Sequence, residues 1–153
     1  MQILTSRFGK ISFSSKEVYN FSKGIYGFPQ EKKFIFLKLK EDEPFLWLQS
    51  IQRPDLAFLL VDPFIFFRGY KPEIAQKELQ EIKAANLKSV EIYVIVTLPA
   101  DIKQAQLNLL APLLINPGKK LGRQVVLKSS DYKTQHSIFS QLKKRTQKNS
   151  RKR

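Results

Sequence analysis

Apolar residues in this chain fall into short runs separated by turn-forming residues, a pattern that predicts β-strands. Three such runs lie at residues 90–98, 107–115 and 121–127. Asn116-Pro117-Gly118 between the second and third runs is turn material, so these two runs are expected to form a hairpin. Pro112 cannot donate a backbone hydrogen bond, and it therefore predicts an edge, bulged or bent strand. We expect the rest of the chain to pack on this sheet core.

The first half of the chain shows the same alternation of strands and turns. Further strands are predicted at residues 3–7, 10–14, 18–21, 34–40, 45–51 and 56–61. Residues 24–29 contain two glycines and a proline, which disfavour both helix and strand and predict a loop. Trp47 and Phe66 lie in apolar runs and are expected to be buried in strands.

A single helix is predicted at about residues 72–87. Pro72 suits the first helical position, and Asn86 suits the C-terminal cap. One helix among about eight or nine strands is typical of a mostly β domain, with many short strands arranged as a sandwich or barrel. We therefore expect one compact β domain over residues 1–135, followed by a basic, flexible tail over residues 136–153.

Charge is concentrated at the end of the chain. The sequence has 27 Lys and Arg against 13 Asp and Glu, a net charge of +14. Seven of the positive charges lie in the last thirteen residues, which contain no acid: Lys143, Lys144, Arg145, Lys148, Arg151, Lys152 and Arg153. Such a tail either keeps the protein in solution or makes an electrostatic contact with nucleic acid or an acidic protein surface.

The sequence contains no constellation of residues that argues for catalysis or cofactor binding. Without cysteine there is no disulfide or thiolate metal site, which is compatible with a reducing cytoplasm. The lone histidine, His136, is expected to be exposed and inert, and Glu41-Asp42-Glu43 is explained by a turn. Gly118-Lys119-Lys120 lacks the first glycine and the Ser/Thr of a phosphate loop. We therefore predict neither an enzyme nor a cofactor, and no apolar run approaches the ~20 residues of a membrane span.

A set of short motifs, in a fixed order, gives the chain a family resemblance. The most specific is Asn108-Leu109-x-Ala111-Pro112-x-x-Ile115-Asn116, followed by Gly122-x-Gln124. Upstream of it come Phe8-Gly9, Gly24-x-x-Gly27-Phe28, Pro44-Phe45, Leu48-Gln49-Ser50 and Asp62-Pro63. Over residues 3–132 the chain resembles the FliW family of flagellar assembly factors.

The resemblance implies a compact, antiparallel, barrel-like fold and a non-enzymatic, protein-binding role in the cytoplasm. FliW-like proteins bind flagellin and the RNA-binding translational repressor CsrA. Excess flagellin occupies FliW and leaves CsrA free to repress flagellin translation. Secretion of flagellin releases FliW, which then sequesters CsrA through a surface away from its RNA site, as an allosteric antagonist.

The candidate partner-binding residues each have two interpretations. Asn116, Arg123 and Gln124 form either a turn scaffold or a polar contact patch around the hairpin. Gln49 and Ser50 either satisfy backbone groups at a strand end or face a partner. The aromatics of the glycine-rich loop, Tyr26 and Phe28, are either core plugs or binding anchors.

An alternative function is a nucleic-acid-binding β-barrel that uses the basic tail for weak RNA contact. The basic residues and abundant aromatics are compatible with it. However, aromatics that stack on bases alternate with basic residues along one strand face, whereas here they lie in apolar runs such as residues 64–67. Burial explains such runs, so protein binding is the favoured interpretation.

Overall fold

Seven strands of this protein close into a ring. The computed structural model describes residues 1–101, 104–128 and 131–138. The strands are β1 (Gln2–Thr5), β2 (Gly9–Ser12), β3 (Tyr19–Asn20), β4 (Lys33–Leu37), β5 (Leu46–Ser50), β6 (Ala57–Val61), β7 (Glu91–Thr97), β8 (Gln106–Leu107), β9 (Leu113–Asn116), β10 (Leu121–Gln124) and β11 (His136–Ser137). A helix, α1 (Gln76–Glu81), and short 3-10 turns at Ser15–Glu17, Lys40–Asp42, Pro63–Ile65 and Leu87–Ser89 connect them.

The ring runs through consecutive antiparallel pairs from β3 to β7 and closes through β9 and β10. Strand β7 pairs with β9 along Glu91–Tyr93, and β9 forms the predicted hairpin with β10. A parallel contact between Leu121 of β10 and Asn20 of β3 completes the barrel. The mostly β, barrel-like architecture is therefore confirmed. Strands β8 and β11 extend the sheet beyond β7, and β1 and β2 form a separate hairpin.

Successive side chains of β9 point to opposite faces of the sheet, so this strand contributes to two apolar clusters. Leu113 and Ile115 point into the barrel, where they join the fully buried Phe21 and Phe34. Leu114, on the opposite face, packs with the residues of the helical segment. This is the period of two that a β-strand imposes, and all four residues of β9 are buried because both of its faces are covered.

Of the edge, bulged or bent strand predicted from Pro112, the structure shows the bend: the apolar run divides into two strands, and β9 is not an edge, since it pairs with both β7 and β10. Strand β8 ends at Leu107, and β9 begins at Leu113, immediately after the proline. Asn108 stabilises the bend between them, because its side-chain oxygen accepts a hydrogen bond from the Ala111 N–H at 3.1 Å. The connecting segment is also held from outside, because the Tyr70 hydroxyl donates to the Leu109 carbonyl at 2.6 Å.

The helix is much shorter than predicted. Helix α1 spans Gln76–Glu81 with Ala75 as its N-cap, so Pro72 lies outside it. The chain leaves the helix through Lys83, whose φ of 56° is left-handed. Asn86, expected to cap the C-terminus, instead caps the start of Leu87–Ser89 by accepting a hydrogen bond from the Lys88 N–H. The apolar spacing of Leu79 and Ile82 reflects their packing against the barrel, not a longer helix.

The expectation that Trp47 and Phe66 are buried in strands is wrong in part. Asp62 caps the turn Pro63–Ile65 by accepting a hydrogen bond from the Phe64 N–H, so this apolar run forms no strand. Phe64 and Ile65 are exposed, and Phe66 is only half-buried. Trp47 does lie in β5, but it too is half-buried, at the edge of the second apolar cluster.

The folded part of the chain continues past residue 135. Strand β11 pairs with β8, and Ile138 is buried in the second cluster. His136 is half-buried, not exposed, and its Nε2 accepts a hydrogen bond from the Lys133 N–H at 2.8 Å. The basic residues Lys143, Lys144, Arg145, Lys148, Arg151, Lys152 and Arg153 lie outside the described residues. None of the helices in the described ranges is long and apolar enough to cross a membrane.

Candidate protein-binding surface

A tight loop over residues 24–28 presents an aromatic side chain to solvent. The chain reverses through hydrogen bonds between the backbone groups of Ile25 and Phe28. Gly24 has a φ of +66°, and a Cβ there would lie 2.5 Å from the Phe28 carbonyl oxygen, so only glycine fits. Ile25 is buried in the barrel, whereas Tyr26 is 64% exposed at the tip of the loop. The loop is therefore anchored on one side and open on the other.

Gln124 holds this loop against the hairpin. Its side-chain oxygen accepts a hydrogen bond from the Tyr26 N–H at 2.9 Å, and its Nε2 donates one to the Ala111 carbonyl at 3.1 Å. The side chain is buried, and both ends of the amide are used within the protein. Gln124 is thus a connection between three segments that are distant in the sequence.

Three more of the predicted contact residues are also buried. Asn116 donates from Nδ2 to the Ile82 carbonyl at 2.8 Å, which connects β9 to the end of α1. Gln49 donates to the backbone carbonyls of Ser50 and Leu56, and the Ser50 hydroxyl accepts from the Arg53 N–H at 2.9 Å. These side chains satisfy backbone groups in turns, which is the structural interpretation left open by the sequence.

Arg123 and Glu78 form an ion pair between β10 and α1. Both side chains are largely shielded from water, with relative exposures of 17% and 12%. The hydrogen bond from Arg123, together with its positive charge, holds the pKa of Glu78 below its usual value, and the same contact raises the pKa of Arg123. The pair therefore fixes the position of the helix beside the loop.

Phe28 is half-buried and supports the loop from below. Its ring packs edge-on against Phe58, with centroids 5.5 Å apart, and the Arg53 guanidinium lies 5.6 Å from the Phe28 ring centroid. Of the two aromatics in the loop, Tyr26 is therefore the exposed one, and Phe28 mainly fills the space beneath the loop.

Tyr26, Arg123 and Gln124 line two neighbouring surface cavities, which together with their rims we call the Tyr26 surface. One cavity, of about 300 Å³, lies between the loop and β10. The other, of about 460 Å³, lies between β10 and the segment around α1. Its further lining residues are Glu73, Ile74, Ala75, Lys77, Glu78, Val125, Val126 and Lys128.

The Tyr26 surface combines exposed apolar groups with positive charge. Val126 is 47% exposed beside Tyr26, and Lys23, Lys77 and Lys128 lie around the two cavities. Since Glu78 is neutralised by Arg123, Glu73 is the remaining acid in these linings. In the described ranges, no group of three or more His, Cys, Asp or Glu side chains could hold a metal ion. The chemical groups that this surface offers are therefore exposed apolar side chains and ammonium groups.

The structure brings the predicted residues Tyr26, Arg123 and Gln124 together, whereas none of the lining residues around α1 was predicted. Ile74 lies before α1 and Glu78 lies within it, so no single helical face contains both and no helical periodicity could have identified them. The pairing of Glu78 with Arg123 spans 45 positions in the sequence and has no local signal.

The family model described as FliW protein matches residues 2–138. The chain belongs to the FliW family. Relatives named flagellar assembly factor FliW occur in Moorella thermoacetica, 38% identical over 92% of this chain and 90% of the relative, and in Heliobacterium modesticaldum, 43% identical over 91% of each. The relative from Bacillus subtilis is 37% identical over 90% of this chain and 96% of its own length.

A solved structure supports the same family and fold. The crystal structure of the flagellar assembly factor FliW superposes with a TM-score of 0.85 at 36% sequence identity, covering 90% of this chain and 96% of that one. The FliW fold is thus the closed barrel described above. A flagellar assembly factor of this family has a protein-binding role, in agreement with the prediction of a non-enzymatic protein.

Proposed function

We propose that this FliW family member binds flagellin and the translational repressor CsrA, and that it switches between them. Bound to CsrA, it relieves repression of flagellin translation; bound to flagellin, it leaves CsrA free to repress. Membership of a family of flagellar assembly factors supports protein partners in flagellar assembly. The identity of the two partners rests on the resemblance to the family.

The observation that carries the proposal at the level of residues is the exposure of Tyr26. A tyrosine in a rigid, hydrogen-bonded loop loses little conformational entropy on binding, and tyrosine is enriched among residues that dominate interface energies. Tyr26 is 64% exposed, and cavities open on both sides of it. We therefore assign at least one of the two partners to the Tyr26 surface.

The charges around this surface indicate the kind of partner segment that it would accept. Lys23, Lys77 and Lys128 surround an apolar centre formed by Tyr26 and Val126. A partner segment with an apolar anchor flanked by carboxylates would complement this arrangement. The rim charges would increase the association rate more than the final affinity.

Switching requires only that binding of one partner weakens binding of the other. If each partner reduces the affinity of the other, the ratio of free flagellin to CsrA sets the occupancy by mass action. CsrA would be antagonised allosterically, through contacts away from its RNA site. We also propose a cytoplasmic location, since a protein that controls translation acts there.

A competition assay tests the switch. Purified protein is mixed with CsrA and a labelled flagellin-leader RNA, and RNA binding by CsrA is followed by fluorescence anisotropy. We expect the protein to release RNA from CsrA, and we expect added flagellin to restore RNA binding. RNA binding by CsrA that is unaffected by the protein at any concentration would contradict the proposal.

A further inference from the structure

A second apolar groove lies away from the Tyr26 surface, beside the only tryptophan of the chain. This groove, which we call the Trp47 groove, has a volume of about 360 Å³. It is lined by Glu41, Asp42, Glu43, Phe45, Trp47, Leu59, Phe66, Leu98, Ala105 and Ile138. It shares no lining residue with either cavity of the Tyr26 surface.

The floor of the Trp47 groove is an incompletely covered apolar cluster. Phe45 and Phe66 stack with ring centroids 6.0 Å apart, and both are only half-buried. Leu98, at the end of β7, is 51% exposed. Burying such side chains is favourable by about 25 cal/mol per Å² of apolar surface. The groove is therefore suited to an apolar segment.

One rim of the Trp47 groove is acidic. Residues 41–43 contribute three consecutive carboxylates, and Asp42 accepts a hydrogen bond from the Trp47 indole N–H at 3.0 Å. Glu41 and Glu43 are exposed, and neither takes part in the ion pairs found among the described residues. An occupant with positive charges beside its apolar residues would therefore complement this groove.

The chain itself carries such a segment, and it starts in the groove. Ile138 is 4% exposed and lines the groove, where its N–H donates to the Ala105 carbonyl at 3.3 Å. The sequence continues as Phe139-Ser140-Gln141-Leu142-Lys143-Lys144-Arg145, which lies outside the described residues. In a helical arrangement, residues 138 and 142 lie on one face, because positions four apart are neighbours. At no more than ~3.6 Å per residue, Leu142 remains within ~14 Å of Ile138.

We propose that residues 139–145 dock in the Trp47 groove of their own chain. Phe139 and Leu142 extend the apolar contact begun by Ile138, and Lys143, Lys144 and Arg145 lie against Glu41 and Glu43. The contact covers the apolar groove and holds the first residues of the basic tail in one position on the barrel. The remaining residues, 146–153, take no part in it.

The single tryptophan makes the contact measurable in the full-length protein. Docking shields Trp47 from water, so the double variant Phe139→Ser/Leu142→Ser should shift the Trp47 emission to longer wavelength and increase its quenching by acrylamide. The matched control is Gln147→Ser/Asn149→Ser, which alters two residues beyond the docked segment and should leave both readings unchanged. Circular dichroism verifies that each variant retains the barrel.

A charge exchange tests the polar half of the contact. Glu41→Lys/Glu43→Lys should produce the same spectral shift, and adding Lys143→Glu/Lys144→Glu to that variant should reverse it. Raised salt should loosen the native contact, since exposed charges are screened over ~8 Å at physiological ionic strength. The shift should not depend on protein concentration, because the occupant belongs to the same chain.

Three results would overturn the proposal. The first is an unchanged Trp47 emission in the Phe139→Ser/Leu142→Ser variant. The second is a charge reversal at Glu41 and Glu43 that the exchanged tail does not rescue. The third is a concentration-dependent shift, which would place the tail of a second copy in the groove. None of these readings involves flagellin or CsrA, so the tail contact and the switch can fail independently.

Discussion

The Gln124 side chain accepts a hydrogen bond from the backbone N–H of Tyr26 at 2.9 Å, across 98 positions of sequence. Through its other end, Gln124 donates to the Ala111 carbonyl. One buried amide therefore connects the exposed loop to both the proline-containing bend and strand β10. The exposed Tyr26 is thus positioned by the buried side chain of Gln124.

Gln124→Met should destabilise the protein without removing any surface group. The variant keeps the length of the side chain but leaves the Tyr26 N–H and the Ala111 carbonyl without their partner. An unsatisfied buried group costs about 1–3 kcal/mol, which corresponds to a decrease in Tm of about 2–4 °C per kcal/mol for a chain of this size. Gln80→Met, on the exposed side of α1, is the matched control and should change Tm little. Equal Tm values for the two variants would show that Gln124 does not hold the loop.

Gly122→Ala should destabilise the protein because the added methyl group would overlap the buried Phe21 ring. A Cβ at position 122 would lie 2.3 Å from the Phe21 ring, which is completely buried, so the ring or the strand must move. Overpacking of this kind costs about 1–3 kcal/mol. Denaturant unfolding gives the free energy of unfolding of Gly122→Ala, Phe21→Leu and the double variant. These values measure the energetic coupling between positions 21 and 122. The double variant should lose less stability than the sum of the two single changes, and simple additivity would contradict this packing.

Stability should decrease as the pH falls below neutrality because of His136. Burial, and secondarily the charge of Lys133, lowers the pKa of His136 from its ordinary value of 6.5. The unfolded chain therefore takes up this proton first, and the stabilising contribution of the neutral ring is lost as the pH falls from 6.5 through the folded-state pKa. Protonation would also remove the Nε2 acceptor of the Lys133 N–H.

Thermal melts at about pH 7.5 and pH 5 check this expectation. His136→Gln keeps a side-chain acceptor but cannot titrate, so its Tm should decrease less between the two pH values than that of the native protein. Parallel pH dependence in both proteins would rule out His136 as the titrating group.

The barrel could be predicted from sequence because its signals are local. The apolar runs of β4 to β7 and the turn after Asn116 are short-range patterns, and the break at Pro112 follows from the missing backbone donor. The predicted helix is longer than the observed one because Ile74, Leu79 and Ile82 lie on one side of a helical projection. Only the six residues Gln76–Glu81 are helical. The left-handed Lys83 that ends this segment follows no local propensity.

The site was only partly predictable, for a different reason. The family motif positions Asn108, Ala111, Asn116 and Gln124 take part in hydrogen bonds within the protein. A motif match therefore marks residues that hold segments of the fold together. Whether Tyr26 or Phe28 faces water depends on Phe58 and Arg53, which are distant in sequence. Exposure is therefore a property of the assembled fold, and only the structure shows which of the two aromatics faces water.

The most direct test of the proposed function is the titration of purified flagellin and CsrA into the native protein and into Tyr26→Ala. Tyr26 is largely exposed, so its replacement should leave Tm nearly unchanged while weakening at least one partner about tenfold or more, as expected for a central aromatic anchor. Leu4→Ala is the matched control, because Leu4 is 72% exposed on the β1–β2 hairpin and lines neither cavity. This variant should bind both partners as the native protein does. Native affinity of Tyr26→Ala for both flagellin and CsrA would contradict the assignment of the Tyr26 surface.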